Sequence, residues 1–105
     1  MDYYLFITTI FQNKMATTSF DELQKKLEET ITSFPYVYLF KFIIKADNKS
    51  MALVEVMFDS DAEIIQKQSS KGNYISITVK QVVLSVEEII IIYKKASEIE
   101  GVITL

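Results

Sequence analysis

The sequence predicts an α+β domain in which a four-stranded antiparallel sheet is covered on one face by two helices. Three observations lead to this prediction. Residues 62–83 have the pattern of a β-hairpin, residues 34–44 form a long aromatic and β-branched run, and helix-start signals stand before the other apolar segments. A chain of 105 residues is long enough for one core.

The hairpin is the clearest of these signals. In its second arm Ile75, Ile77 and Val79 alternate with polar residues, which is typical of a strand with one buried face. Gly72 and Asn73 precede this arm, and both residue types tolerate the positive φ angles of tight turns.

The run 34–44 predicts a central strand because it is long, aromatic and β-branched at its end. Its residues divide into two faces. We expect Tyr38, Phe40, Phe42 and Ile44 to face the helices, and Val37, Leu39, Lys41 and Ile43 to face away. The second face joins Tyr74, Ser76, Thr78 and Lys80 of the hairpin on a surface that the two helices leave bare.

A leading helix is predicted over residues 19–33. Ser19 and Glu22 have capping-box spacing, an apolar residue recurs on one face, and Pro35 ends the helix. A second helix is expected to begin at the cap-type residues 47–50.

The last helix is predicted to start at a second capping box, 85–88, and to run to about residue 100. Gly101 then serves as a left-handed cap before a short strand over 102–105. The inward stripe of this helix is predicted to be Val86, Ile89, Ile90, Tyr93 and Ser97.

After the leading helix, the order of elements along the chain is therefore strand, helix, strand, strand, helix, strand. Two β-α-β halves that share a central hairpin describe the ferredoxin-like split sandwich, with the leading helix as an addition. Residues 18–105 are expected to form this single domain.

Composition excludes several chemistries. The chain has no Cys and no His, so it cannot build thiol or Ser-His-Asp catalysis and lacks the common zinc ligands. The net charge is −3 and Arg is absent, which disfavours nucleic acid. We expect no metal, no cofactor and no catalytic residue, and the missing cysteines fit a cytoplasmic protein.

The first residues allow three interpretations. The apolar run within 1–14 is too short to cross a membrane and lacks the basic start of a signal peptide. It is an extra edge strand, a mobile or partner-binding tail, or a consequence of a start codon placed upstream of a natural start at Met15. The sequence does not decide among them.

Four features of the sequence form a recognisable set: the turn 69–74 (Ser-Ser-Lys-Gly-Asn-Tyr) with the alternation after it, the ending 100–105, the run 38–43 and the pair Phe58-Asp59. Together they resemble the YbeD-like family of small, uncharacterised bacterial proteins. The resemblance covers residues 34–105 and leaves out 1–17. It implies a ferredoxin-like fold similar to ACT-type regulatory domains, which bind amino acids and dimerise, and it implies no catalytic residues. Members of the family are polar where this chain has Ile91 and Ile92.

The hairpin tip is a candidate ligand site. Ser69, Ser70, Lys71, Gly72 and Asn73 offer hydroxyls, amides and one ammonium group to a small anion. The alternative is a solvated turn, which is favoured because neither a phosphate-loop spacing nor a following helix start is present.

Two apolar surfaces are candidate interfaces. Val37, Leu39 and Ile43 lie on the bare sheet face, which a second copy, the leading helix or the N-terminal segment would cover. Ile91 lies about 140° from Val86 on an ideal helix, and Ile92 lies at the edge of the inward stripe. The alternative for Ile91 is a lone exposed isoleucine.

These features predict a non-enzymatic regulatory or adaptor domain that acts through protein contacts. The alternative is an ACT-like sensor that binds an amino acid or small anion at a dimer interface. The protein partner is not identified by the sequence, and neither nucleic acid nor a membrane is expected as a partner.

Overall fold

A computed structural model describes residues 20–105 and confirms the ferredoxin-like class. The elements are α1 (Phe20–Thr30), β1 (Tyr36–Lys45), α2 (Asn48–Glu55), β2 (Glu63–Gln68), β3 (Tyr74–Val83), α3 (Val86–Ala96) and β4 (Ile103–Thr104). The sheet order is β2-β3-β1-β4, and every neighbouring pair is antiparallel. The predicted cap at Ser19 and the N-terminal segment 1–17 lie outside the described residues.

The two faces of β1 divide as predicted. Tyr38, Phe40, Phe42 and Ile44 are buried, whereas Val37, Leu39 and Lys45 are exposed and the other odd-numbered residues are partly exposed. The pairing of β1 with β3 places Phe40 opposite Val79 and Phe42 opposite Ile77. Because side chains alternate along a strand, both strands turn one apolar face towards the helices.

The core lies between this face and the helices. Phe40 and Phe42 stack with ring centroids 6.3 Å apart, and the ring of Tyr93 on α3 meets Phe40 edge-on at 5.4 Å. The hydroxyls of Tyr38 and Tyr93 are 2.9 Å apart and buried, so they form a hydrogen bond inside this aromatic group. Such edge-to-face contacts add to the burial of the rings themselves.

The leading helix α1 packs against α3 rather than against the bare face of the sheet. Gln24 Nε2 lies 3.4 Å from Glu87 Oε2 at the start of α3, and Lys94 Nζ near its end lies 5.7 Å from the Phe20 ring centroid. The two helices are therefore antiparallel, and Leu27 of α1 is buried between them and the core. The suggestion that the leading helix covers the open sheet face is wrong.

The helix ends differ from prediction. The leading helix ends at Thr30 instead of residue 33, and α3 ends at Ala96, after which turns lead to Gly101 at φ +77°. Ser97 is exposed, and the buried stripe continues through Ala96 and Ile99 instead. The turns after Ala96 tighten to i→i+3 bonds, which moves the next inward position to Ile99.

Helix starts follow the sequence signals. Asp47 caps α2 by accepting from the Ser50 amide at 2.7 Å, and Ser85 caps α3 by accepting from the Glu88 amide at 3.2 Å. The Glu88 carboxylate accepts a hydrogen bond from the Leu84 amide. In a standard capping box it would accept from the amide of the cap residue, which is one position later. These caps fix the residue at which the chain passes from the preceding strand into each helix.

Candidate protein-binding face

The surface of the sheet that the helices do not cover is called the open face here. In it, β1 and β3 present matched pairs of side chains, because opposite residues of antiparallel strands point to the same side. The pairs are Val37 with Val82, Leu39 with Lys80, Lys41 with Thr78, and Ile43 with Ser76.

The outer strands extend these rows. On β2, Ile65 stands opposite Thr78 and Lys67 opposite Ser76, and both side chains therefore belong to the open face. On β4, Ile103 stands opposite Ile43. The open face thus spans all four strands.

Apolar side chains on this face are largely solvent-exposed. Leu39 has 50% of its surface exposed, and Val37 and Val82 beside it are exposed to a similar degree. Ile65 and Ile103 are likewise about half exposed or more. Single exposed apolar residues are ordinary, but neighbouring ones on a regular surface are typical of an interaction site.

The open face has the opposite charge sign to the whole chain. Within β1–β3 it carries four lysines and one carboxylate: Lys41, Lys45, Lys67, Lys80 and Glu63. The net charge of the chain is −3, so acidic residues are concentrated elsewhere, and half of the 14 lie on the three helices. A surface that combines apolar side chains with lysines attracts apolar groups accompanied by carboxylates.

One end of the open face forms an open groove of about 610 Å³. Its lining residues are Ile43, Lys67, Gln68, Ser69, Ser70, Tyr74, Ser76 and Ile103. The groove therefore has apolar and aromatic walls with hydroxyls, an amide and one ammonium group at its polar side. Such a combination suits a small molecule that has an apolar part and an anionic part.

The predicted ligand site at the hairpin tip contributes only partly to this groove. Ser69 and Ser70 line it, whereas Lys71, Gly72 and Asn73 are not among its lining residues. The ligand role of these five residues stays a prediction.

Hydrogen bonds within the turn engage much of the tip. The Ser69 amide donates to the Tyr74 carbonyl at 2.8 Å, the Gly72 amide to the Ser69 carbonyl at 2.9 Å, and the Tyr74 amide to Ser69 Oγ at 3.2 Å. Gly72 adopts φ +77°, as the turn requires. Because these amides are engaged internally, an anion at the tip would depend on the remaining groups.

The predicted interface residues fall into separate places. Val37, Leu39 and Ile43 lie together on the open face. Ile91 is 50% exposed on α3, in the helical layer, so it does not share a surface with them. Ile92 is only 6% exposed and belongs to the core, so it is not available as an interface residue.

Sequence reasoning missed three apolar residues of the open face. Val82 continues the alternation of β3 by one more step, so its position was available from the pattern. Ile65 belongs to the short β2, where a pair of isoleucines hides the alternation. Ile103 joins the face through its pairing with β1, which sequence periodicity does not report.

Asp47 is the cap of α2 and is not among the residues that line the groove. The pKa of Asp47 is lowered from its usual value, first by the hydrogen bonds from Ser50 and then by the nearby charges of Lys45 and Lys49. We therefore assign Asp47 a structural role. Within residues 20–105, no helix has the length and apolar character needed to cross a bilayer.

Comparison with known proteins places the chain in a family. The family model described as protein of unknown function (DUF493) matches residues 29–105. A UPF0250 protein of Shewanella piezotolerans is 34% identical, and one of Shewanella baltica is 36% identical. Each alignment covers 84% of this chain and 96% of the relative. No solved structure matches the chain. With its fold and the turn 69–74 that resembles the YbeD-like proteins, the chain belongs to this DUF493/UPF0250 family.

Proposed function

We propose that this protein is a non-enzymatic regulatory or adaptor domain that binds another protein on the open face of its sheet. The observation that carries the proposal is the group of half-exposed apolar side chains at Val37, Leu39 and Val82, flanked by lysines. The chain has no Cys and no His, which supports a binding role in the cytoplasm over a catalytic one.

The chemistry of the face specifies the kind of partner. Burying a whole Val or Leu side chain is worth about 1.5–3 kcal/mol, so covering the exposed half of three of them contributes about 3 kcal/mol. That contribution corresponds to a factor of about 100 in affinity. The surrounding lysines favour a partner segment whose apolar residues are accompanied by Asp or Glu.

The test uses a matched pair of variants. Leu39→Asp places a carboxylate at the centre of the face, whereas Val56→Asp makes the same kind of change at the exposed C-terminal end of α2. Proteins captured from cells of the source organism are identified, and each purified candidate is then titrated by calorimetry. Thermal unfolding of both variants confirms that they fold.

We expect Leu39→Asp to weaken binding at least about tenfold, because it removes apolar contact and repels an acidic partner. Val56→Asp should leave the affinity unchanged. Equal affinities for wild type and Leu39→Asp would contradict the proposal. Captured proteins that are released by nuclease treatment would also contradict it, because they would have been held through nucleic acid.

A ligand sensor of ACT type is the second candidate, and the groove is the observation that favours it. Its volume of about 610 Å³ lies in the usual range for small-molecule sites. An amino acid could place its side chain against Ile43 and Ile103 and its carboxylate near Lys67. A thermal-shift series with the common amino acids tests this, since a ligand at 100 times its Kd stabilises the folded state by about 2.7 kcal/mol. Lys67→Ala and Lys71→Ala then distinguish the groove from the hairpin tip.

A further inference from the structure

The strand β2 forms an edge of the sheet whose outer side has no strand partner within residues 20–105. Its side chains are exposed apart from the partly buried Ile64, and Ile65 is 62% exposed. Exposed edges of this kind pair readily with other strands unless something prevents it.

The direction of the backbone groups of β2 follows from one hydrogen bond. The Ser69 amide donates to the Tyr74 carbonyl, and in an antiparallel pair such bonded positions recur at every second residue. The register continues with Lys67 opposite Ser76 and Ile65 opposite Thr78, so odd-numbered residues bond to β3. The amides and carbonyls of Ile64, Gln66 and Gln68 therefore point to the free edge.

The side chains of β2 are self-complementary about Ile65. Glu63 precedes it by two residues and Lys67 follows it by two, and all three side chains lie on the open face. We propose that β2 pairs antiparallel with β2 of a second copy across a two-fold axis at Ile65. Each Ile65 then meets its counterpart, and each Glu63 meets Lys67 of the other copy.

This register also satisfies the backbone. Ile64 stands opposite Gln66 of the second copy, and both have outward amides and carbonyls, so they form a hydrogen-bonded pair. A register shifted by one residue would place residues whose amides and carbonyls point to the free edge opposite residues whose amides and carbonyls point to β3. A shift by two residues in one direction puts Ile65 opposite Lys67, and in the other direction opposite Glu63, so both lose the isoleucine contact.

A lysine on an edge strand usually discourages pairing between copies. Here the glutamate four residues earlier offsets that effect, because the two-fold axis brings opposite charges together at both ends of the strand. Opposite charges across strands stabilise a pair, and like charges destabilise it. The result is an eight-stranded sheet whose two open faces are continuous and remain uncovered.

The proposed dimer is weak. Two six-residue strands bury less than the roughly 1,200–2,000 Å² of a stable interface, so we expect a Kd in the micromolar range or above. The inference does not rest on the proposed function, because it concerns backbone pairing at the β2 edge in the isolated protein. Lys67 also lies on the open face and in the groove, so association is measured without any partner or ligand.

The experiment exchanges charges on the edge. Lys67→Glu puts two glutamates opposite each other at both ends of the pairing, and Glu63→Lys puts two lysines there. Mixing these two variants restores an opposite-charge pair at each end. Lys26→Glu on α1 changes the net charge by the same amount as Lys67→Glu and serves as the control.

Sedimentation velocity from about 10 µM to about 1 mM measures association in wild type, each variant and the mixture. We expect wild type and Lys26→Glu to dimerise, each β2 variant alone to associate at least about tenfold more weakly, and the mixture to recover. Thermal unfolding establishes that the variants fold, and Glu63→Lys is checked most carefully because Lys80 stands opposite it.

Three results would overturn the proposal. They are a wild-type monomer throughout this range, a dimer that persists unchanged in Lys67→Glu, and a mixture that associates no better than its two components.

Discussion

The packing of α1 on α3 leads to the most quantitative prediction, the effect of Leu27→Ala. Leu27 is 8% exposed and belongs to the core, so the substitution removes buried methyl and methylene groups and leaves a cavity. Leu→Ala changes in cores cost about 2–5 kcal/mol. Because α1 lies at the border of the core, we expect about 2–3 kcal/mol, which lowers Tm by roughly 10–20 °C for a domain of this size.

Urea unfolding followed by circular dichroism measures this change, with the free energy of unfolding taken from the midpoint and slope. Leu53→Ala on α2 is the matched control, since Leu53 is 39% exposed and its truncation should cost about 1 kcal/mol or less. A loss below about 0.5 kcal/mol for Leu27→Ala would show that α1 is not part of the cooperative core, and the reasoning on its packing would fail.

Two further predictions concern the backbone framework. The pKa of Asp47 is lower in the folded chain than its usual 3.8. The stabilisation that its charged carboxylate gives to the fold is therefore fully present above that value and is lost as pH falls through the folded pKa. The Tm difference between wild type and Asp47→Asn should therefore be constant above about pH 5 and shrink in more acidic buffer; a difference independent of pH would contradict this. Gly101→Ala should cost about 1–2 kcal/mol in urea unfolding, because φ is +77° there and the added Cβ would lie 2.8 Å from Lys45 Cε. Combining it with Lys45→Ala relieves only the contact, so full recovery of stability would show that φ is not the cause.

Local patterns predicted the framework well. The alternation from Tyr38 to Ile44 was sufficient to assign both faces of β1, because a strand has a period of two and the apolar face must be covered. The caps at Asp47 and Ser85 were visible because N-cap chemistry depends on residues three apart.

Features that depend on tertiary contacts were not predictable from local patterns. Ile92 lies at the edge of the inward stripe of α3, and its burial is set by tertiary neighbours that the period of the helix does not specify. Ile103 joins the open face through β4, a strand of two residues whose pairing is set by the whole chain. For the same reason, the groove beside the hairpin tip combines residues from four strands, of which the sequence assigned only the serines of the turn to a ligand site.

The central claim is that one face of the sheet is bare in the isolated protein. Methyl NMR in the presence of a soluble gadolinium chelate tests it most directly, because the probe relaxes only methyl groups that it can approach. We predict strong relaxation at Leu39 and Val82, and little at Val79 and Ile77, which alternate with the open-face residues along the same sheet. If Leu39 is as well protected as Val79 in the dilute protein, the open face is covered, and the account of this domain as a binding module is contradicted.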